Sequence, residues 1–453
     1  SLFNSMPHYP NKIIITLNRM PQFPGRYRDL YWLDIDTKRT TKIAEVPNIR
    51  DEQFGRWLID HDGNARGFTT SHDKGQDYKP NSPRDGLYTY VYLMDPKTKE
   101  YSRMASCKHQ EPCFMPLTFD FDNRSLFGVG QAVLPDGSLD PDWDYTDTNA
   151  LWLYDTVEKK YIEKVFHDPK YDFSNPRQGY SDGYVLQDTI NKINYGLSYY
   201  AETRKYVYWD ETYGVLRESL QATFPEDQLS MYASSDFSKI IVSTSSDKSP
   251  GSAYFYDVEK GGIVQVAEYA PWLKDYELGD MVPFEFTSRD GLDLTGYITL
   301  PPDYRKGQKI PFIVHPHGGP NAKDRFGYNP EVQIYATRGY GVLQVNYRGS
   351  VGFGLEKMKL ANKQWSLKMH DDLLDALYWA NELALQNNDL ELKSIFNELA
   401  KNLVANEELI NKEMLSCQGS SENINGYYFP DNELASNAMR PSKTLNDILN
   451  KVG

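Results

Sequence analysis

The stretch "YVYLMDPKTKEYSRM", residues 90–104, decides the fold of most of this chain because its pattern recurs. An aromatic, alternating segment leads to a polar turn headed by an aspartate, and a second alternating segment follows. This order is typical of a β-hairpin. Five copies occur, and their turn aspartates lie 47 to 60 residues apart: Asp36, Asp95, Asp155, Asp210 and Asp257.

A further apolar segment precedes the hairpins, as in "NKIIITLNRM" (11–20), "LTFDFDNRSLFGVG" (117–130) and "MYASSDFSKIIVSTS" (231–245). Four short antiparallel strands per repeat of roughly 40–50 residues predict the blades of a β-propeller. Residues 1–275 are therefore expected to form an incomplete β-propeller of about five blades.

Composition excludes some function classes. The 453 residues carry a net charge of -14, which argues against nucleic acid or an anionic membrane as partner. Three cysteines are too few for a disulfide framework and favour a reducing or neutral compartment; the localisation stays unknown, with the cytoplasm favoured. The chain opens without an initiator Met or a leader, so we expect it to lack its own beginning.

Three short motifs resemble sites but are better explained as structure. Cys107, His109 and Cys113 would need a fourth ligand for zinc, so a surface loop is expected. "DPDWDYTD" (140–147) begins like a calcium loop, yet Tyr145 replaces its glycine and Leu151 its glutamate. A solvated turn is expected there, and no metal or cofactor is predicted for the chain.

"GYSDG" (179–183) matches the G-x-S-x-G pattern of a nucleophile elbow. Such an elbow follows a buried strand and opens a helix. Here a polar segment precedes Ser181 and apparent strands follow it, so Ser181 is not expected to be a nucleophile.

The composition changes near Tyr276. Two alternating strands meet at a turn at Asp290 and Gly291, and "IPFIVHPHGGP" (310–320) then reads as a strand buried on both faces. "YATRGYGVLQVNYRG" (335–349) predicts a helix end, with Gly339 as its stop, and the next buried strand.

From about residue 2 to 380 the chain resembles the prolyl oligopeptidase family of serine peptidases, in its acylaminoacyl-peptidase and dipeptidyl-peptidase-like branch. The resemblance rests on "FTSRDGLDLTGYITLP", "PFIVHPHGGP", "RGYGVLQVNYRGSVGFG" and "QWSLKMHDDLLDALYWA", in the family's order. It implies peptide substrates and an α/β-hydrolase domain, whose N-terminal part is residues 276–375. It also implies an oxyanion-side turn of His317, Gly318 and Gly319, where backbone N–H groups face a developing negative charge.

The resemblance places the catalytic Ser, Asp and His after the helix that contains Asp371 and Asp372. No apolar strand with G-x-S-x-G follows Ala380, and the last histidine of the sequence is His370. His315, His317 and His370 match structural positions of the family, and the aspartate pair matches a scaffold. A serine triad needs all three members, so the hydrolase part is expected to be truncated and inactive, with no catalytic residue present.

Residues 376–453 predict a helical tail, with an apolar stripe of Leu392, Ile395, Phe396, Leu399 and Leu403 and a short final helix after a loop. "GYYFPDNELASNAMRPSKTLN" (426–446) resembles the C-terminus of monomeric NADP-dependent isocitrate dehydrogenases. No NADP, metal or isocitrate motif lies in it. The two resemblances meet in "ALYWA" (376–380), which predicts a chimeric chain.

Three hypotheses follow: an incomplete, inactive serine peptidase, a non-catalytic propeller that binds peptide or protein, or a fusion that acts through its dehydrogenase-like tail. The fold class expected is mixed, an incomplete β-propeller followed by a truncated α/β-hydrolase domain and a helical tail. The sequence does not determine the oligomeric state.

Overall fold

A computed structural model describes residues 2–5, 9–18, 28–49, 51–73, 87–175, 182–234, 236–305, 308, 310–385, 401–417, 419, 421, 423–426 and 431–449. The chain forms two compact units. The first comprises Ser1–Tyr304 and Ile310–Leu377, and the second comprises Arg305–Lys309 and Tyr378–Gly453. The described part is mainly antiparallel sheet with a few helices. None of its helices is long and apolar enough to cross a membrane.

Five antiparallel sheets follow one another along the first unit, and each is a meander of sequential strands. The first contains β1 (Leu2–Ser5), β2 (Lys12–Asn18), β3 (Arg28–Asp34) and β4 (Thr40–Ala44). The second contains β5 (Gln53–Ile59), β6 (Ala65–Asp73), β7 (Leu87–Met94) and β8 (Tyr101–Lys108). The third contains β9 (Phe114–Phe119), β10 (Ser125–Gly130), β11 (Ala150–Asp155) and β12 (Lys160–Phe166).

The fourth sheet contains β13 (Tyr184–Asp188), β14 (Ile193–Tyr200) and β15 (Arg204–Tyr208), and helix α1 (Glu211–Thr223) follows it. The fifth contains β16 (Gln228–Ala233), β17 (Lys239–Ser245), β18 (Ser252–Asp257) and β19 (Gly262–Glu268). A single 3-10 turn, Pro271–Asp275, then leads out of this part of the chain.

Four of the five predicted hairpins are confirmed: β3–β4, β7–β8, β11–β12 and β18–β19. Their turn aspartates accept hydrogen bonds from backbone N–H groups two or three residues later, as Asp95 does from Lys97 and Thr98. In the first hairpin Asp34, rather than the predicted Asp36, performs this task, with Thr37 as donor. A side chain that closes its own turn explains why the aspartate recurs.

The fourth predicted hairpin is wrong. After β15 the chain enters α1, and the side chain of Asp210 accepts a hydrogen bond from the N–H of Tyr213 at 2.7 Å. Asp210 is therefore a helix N-cap, and Leu216 and Leu220 pack against the core of the fifth sheet. The same aspartate signal opens a hairpin or a helix, and the spacing of the later apolar residues decides between them.

Replacing Asp210 with Ala should cost about 1 kcal/mol, because the N–H of Tyr213 loses its acceptor. Urea unfolding followed by circular dichroism measures this loss. Asp210→Ser is the matched control, since serine is an equally good N-cap, and it should retain most of the stability. Equal losses in the two variants would contradict the capping role.

Consecutive sheets share apolar cores. Residues of the first two sheets form one cluster around Leu30, Trp57 and Phe68. A larger cluster joins the second, third and fourth sheets, with Trp152 and Phe114 fully buried at its centre. Because the first four sheets bury faces against one another, none of these four is expected to be stable alone.

The remaining sheet of the first unit is mixed. It contains β20 (Met281–Thr287), β21 (Asp293–Thr299), β22 (Phe312–Val314) and β23 (Gly341–Asn346), in the order β20-β21-β23-β22. Helices α2 (Pro330–Ala336), α3 (Leu355–Lys359) and α4 (Lys368–Leu385) belong to this part of the sequence. Gly339 ends the turn after α2 with a φ of 88°, as predicted.

The prediction that the strand before the HGGP turn is buried on both faces is wrong for the described sheet. β22 is three residues long, only half-buried, and pairs on one side, with β23 in parallel. β23 is the fully buried strand, because β21 and β22 flank it.

In the second unit the described helices are α5 (Glu407–Ser416), α6 (Asn432–Met439) and α7 (Lys443–Leu449). The predicted final helix is confirmed as α7. Helix α6 corrects the predicted loop, since the side chain of Asp431 caps it by accepting from the N–H groups of Glu433 and Leu434. The predicted apolar stripe lies outside the described residues except for Leu403.

Candidate functional site

The HGGP turn, residues 317–320, follows β22. The N–H of His315 still donates to the carbonyl of Leu343 at 2.8 Å, and the chain then leaves the sheet. Gly319 has a φ of 139°, and a Cβ there would lie 2.7 Å from the N atom of Asn321. A Cβ on Gly318 would meet nothing within 4 Å. The backbone therefore requires glycine at 319, whereas the surface above Gly318 is open to an approaching group.

Backbone donors of the turn are available. Among the described residues, neither the N–H of Gly318 nor that of Gly319 donates to a protein acceptor, and both glycines are exposed. Two neighbouring N–H groups without protein acceptors are the kind of donors that stabilise an oxyanion.

His317 is held by the glycine-rich loop that follows β23. Its Nδ1 lies 2.9 Å from the carbonyl oxygen of Gly318, and its Nε2 lies 2.9 Å from Oγ of Ser350. The hydroxyl of Tyr347 donates to the carbonyl of His317 at 2.7 Å, and the two rings stack with centroids 4.5 Å apart. His317 thus has a supporting position in the turn.

Ser350 and His317 lie as close together as a nucleophile and its base. The burial of Ser350 and the direction of its hydroxyl do not suit a nucleophile. Ser350 is fully buried, and its hydroxyl donates to the carbonyl of Tyr347 at 2.6 Å. A nucleophilic serine must be accessible and must direct its proton to the histidine. Ser350 is therefore a structural residue.

Arg348 joins this loop to the rest of the hydrolase part. The guanidinium, 3% exposed, pairs with Asp372 at 2.6 Å and with Asp290 at 2.8 Å. The hydrogen bond to Asp372 raises the pKa of Arg348, and Arg348 in turn lowers the pKa of Asp290. Asp372, fully buried on α4, also accepts from the N–H of Arg348. Asp372 thus pairs with Arg348 inside the fold, which is compatible with the scaffold position predicted for it.

A cavity of about 150 Å³ lies where the fourth sheet meets the mixed sheet. Its wall includes Tyr171, Glu202, Phe284, Tyr297, Lys323 and Phe353. The Lys323 amine lies 3.4 Å from the carbonyl of Tyr200 and 5.0 Å from the centre of its ring. Burial lowers the pKa of Lys323 to about 7.

The depressed pKa of Lys323 predicts a pH dependence of stability. Between about pH 7 and the ordinary lysine value of 10.5 the unfolded chain binds more protons, so unfolding free energy rises with pH in this window. The difference in unfolding free energy between Lys323→Met and the natural chain should therefore change from pH 7 to pH 10. The change should be at least about 2 kcal/mol in favour of the natural chain. Lys260→Met, at an 82% exposed side chain, is the control for urea unfolding and should show no such change. A pH-independent difference for Lys323→Met would refute the assignment.

The remaining predicted residues are dispersed. Cys107, fully buried on β8, forms a disulfide with Cys113, so the prediction of an unremarkable surface loop is wrong and neither sulfur is a thiolate ligand. Residues 140–147 form a polar, partly exposed loop, in line with the predicted solvated turn. Ser181 lies outside the described residues.

His370 is exposed, and Asp371 pairs with Arg289 at 3.4 Å.

Reasoning from the sequence missed Tyr347 and Ser350 as the support of the turn. Both lie in "NYRGSVGFG", which was interpreted from its glycines and not from its polar side chains. Their position directly after the buried strand next to β22 was the available signal, because the ends of adjacent parallel strands meet at one edge of a sheet.

Two known peptidases match parts of the chain of different length. Dipeptidyl aminopeptidase BIII of Pseudoxanthomonas mexicana is 36% identical over 178 residues, which cover 38% of this chain and 26% of that protein. Dipeptidyl peptidase family member 6 of Caenorhabditis elegans is 27% identical over 366 residues, covering 75% of this chain and 45% of that protein. The chain thus spans less than half the length of these relatives.

The C-terminal part matches other proteins. The family model of monomeric isocitrate dehydrogenase matches residues 369–450. Isocitrate dehydrogenase (NADP) 2 of Colwellia maris is 49% identical over 74 residues, which cover 16% of this chain and 10% of that protein. The chain therefore has homologues in two families, the dipeptidyl peptidases of the prolyl oligopeptidase family over its larger part and the monomeric isocitrate dehydrogenases over its C-terminal region.

Proposed function

We propose that this chain carries the framework of a prolyl oligopeptidase-family peptidase without a working catalytic triad. In this proposal the five antiparallel sheets, residues 1–275, are blades of a β-propeller. Residues 276–375 are the first part of an α/β-hydrolase domain, and residues 376–453 are a helical tail of dehydrogenase type.

The observation that carries the proposal is the turn of His317, Gly318 and Gly319. It follows a strand of a mixed sheet, and the N–H groups of its two glycines lack protein acceptors in the described part of the chain. This arrangement suits stabilisation of the negative oxygen formed when a peptide carbonyl is attacked. The similarity to two dipeptidyl peptidases gives the same reaction class, with peptides as substrates.

The contacts of the histidines support the proposed inactivity. His370 is the last histidine of the sequence. His317 is bound to Ser350 and Gly318, and Nε2 of His315 lies 3.4 Å from Glu331 on α2. Neither has an accessible serine within hydrogen-bond distance among the residues described, so neither is placed as a general base for a nucleophile.

Hydrolysis of dipeptidyl and aminoacyl 4-nitroanilides tests the proposal. The purified chain should release no 4-nitroaniline above a heat-denatured control, whereas dipeptidyl aminopeptidase BIII should do so under the same conditions. Saturable hydrolysis that co-purifies with the chain and disappears on substitution of one of its serines would refute the inactivity.

A second candidate is a binding module for peptides or proteins. Four aromatic side chains of the fifth sheet and the segment after it are about two-thirds exposed: Tyr232, Tyr269, Trp272 and Tyr276. Exposed aromatic side chains are enriched where proteins bind partners. Saturable binding to a peptide array, weakened by Tyr269→Ser with Trp272→Ser, would support this function, and absence of binding would oppose it.

The dehydrogenase-like tail supports only a weaker candidate. Its similarity to monomeric isocitrate dehydrogenases covers residues 369–450, and we assign no NADP or isocitrate contact to it. NADP should therefore leave the melting temperature unchanged. A melting temperature that rises with NADP concentration would support a fusion that acts through its tail.

A further inference from the structure

Lys323 is a buried amine at the wall of the 150 Å³ cavity where the fourth sheet meets the mixed sheet. The residue is only 7% exposed. Its amine lies 3.4 Å from the carbonyl of Tyr200 and 5.5 Å from the centre of the Phe353 ring. Phe353 and Ala201, the residue that follows this carbonyl, both line the cavity, so the amine lies at the cavity wall.

The cavity has room for one small aromatic molecule, because an apolar cavity of about 150 Å³ holds benzene in another protein. Four aromatic side chains, each 6% exposed or less, contribute to the wall: Tyr171, Phe284, Tyr297 and Phe353. The wall also includes Glu202 and Glu285, whose side chains are 34% and 63% exposed. This side of the cavity therefore borders on solvent.

Burial favours the neutral form of the Lys323 amine, which is its nucleophilic form. The surrounding charges act in opposite directions, since the carboxylates of Asp182 and Asp172 favour the ammonium and the guanidinium groups of Arg325 and Arg204 disfavour it. Desolvation is the largest effect and lowers the pKa of Lys323 to about 7. At neutral pH a large fraction of this amine therefore has a free electron pair.

We propose that Lys323 is a modification site for uncharged aromatic aldehydes of the size of benzaldehyde. The ring of the aldehyde packs among the aromatic side chains of the wall, and its carbonyl carbon meets the amine. An uncharged aldehyde fits best, because Glu202, Glu285 and Asp324 line the same cavity and repel an anion.

The reaction is a condensation and needs no oxidant or reductant. The electron pair of Nζ attacks the carbonyl carbon and forms a carbinolamine. The carbonyl oxygen then leaves as water together with the two hydrogens of the amine, and a C=N bond joins the lysine to the aldehyde. This site uses none of the residues of the HGGP turn and does not depend on peptide hydrolysis.

Reductive alkylation of the full chain at pH 7 tests the proposal. Sodium cyanoborohydride converts the imine with benzaldehyde into a stable benzylamine, and peptide mapping by mass spectrometry locates it. Labelling of Lys323 should exceed that of Lys260 by at least about tenfold, because the amine of a side chain that is 82% exposed is almost entirely protonated at this pH. Labelling of Lys323 that does not exceed that of Lys260 would overturn the proposal.

A larger aldehyde separates the role of the cavity from the reactivity of the amine alone. Pyrenecarboxaldehyde exceeds the cavity, so it should show no preference for Lys323. An equal preference with both aldehydes would refute the cavity as the binding site. Benzyl alcohol, which lacks the carbonyl group, should compete with benzaldehyde at Lys323 and leave the labelling of Lys260 unchanged. These measurements use the natural chain, so they do not depend on the folding of a variant.

Discussion

Asp372→Ala should lower the free energy of unfolding by about 3–5 kcal/mol, because it leaves the buried guanidinium of Arg348 with an incomplete set of partners. Asp372 is fully buried and accepts three hydrogen bonds from Arg348, one of them from its backbone N–H. Asp290, the other partner of Arg348, is one-third exposed and cannot replace the contact to the backbone. The shift of the urea midpoint, monitored by tryptophan fluorescence, measures the loss.

The neighbouring Asp371 provides the matched control. It lies on the same helix, its side chain is 29% exposed, and its ion pair with Arg289 has a distance of 3.4 Å. Asp371→Ala should cost less than about 1 kcal/mol, as most exposed ion pairs do. Similar losses in the two variants would mean that the buried network around Arg348 does not stabilise the hydrolase part.

Trp152→Ala should destabilise the chain by about 3–5 kcal/mol, the usual cost of removing a large aromatic side chain from a core. Trp152 is fully buried in the cluster shared by three sheets, and its indole N–H donates to the carbonyl of Gly130 at 2.9 Å. Its ring also contacts Trp143 and Tyr161 edge-on. Thermal unfolding by calorimetry gives the change.

Trp365→Ala is the corresponding control, because that side chain is 67% exposed, and it should change stability by no more than about 0.5 kcal/mol. A small effect at Trp152 would show that the three sheets do not depend on a common core. The shared core would then no longer support the proposed propeller.

The hairpins could be predicted from the sequence because their signals are local. An alternating segment and an aspartate that closes its own turn lie within about 15 residues of each other. The fourth hairpin was wrong for the same reason, since Asp210 satisfies a helix N-terminus as well as a turn. The spacing of Leu216 and Leu220, which both pack against the core of the fifth sheet, distinguishes the two outcomes.

The site was predictable only where a family resemblance named it. His317, Gly318 and Gly319 came from that resemblance, whereas their supports depend on which strands become neighbours. Ser350 lies 33 residues from His317, and Gln110, in the turn between the second and third sheets, pairs with Asn362 across 252 residues. The disulfide was missed because Cys107 was placed in a loop, although it lies on a buried strand.

The two sequence relationships overlap in one helix. The isocitrate dehydrogenase match begins at residue 369, within α4, and the boundary between the two compact units falls between Leu377 and Tyr378. Both lie in or near the predicted junction at residues 376–380. We therefore propose that α4 contains the point where a peptidase sequence continues as a dehydrogenase-like one.

Labelling with a fluorophosphonate probe, followed by intact mass measurement, tests the central claim most directly. The probe forms a covalent adduct with a serine that a neighbouring base has activated. No adduct is expected on this chain under conditions that label dipeptidyl aminopeptidase BIII stoichiometrically. One adduct per chain that is abolished by substituting a single serine would show an assembled catalytic site and contradict the proposed inactivity.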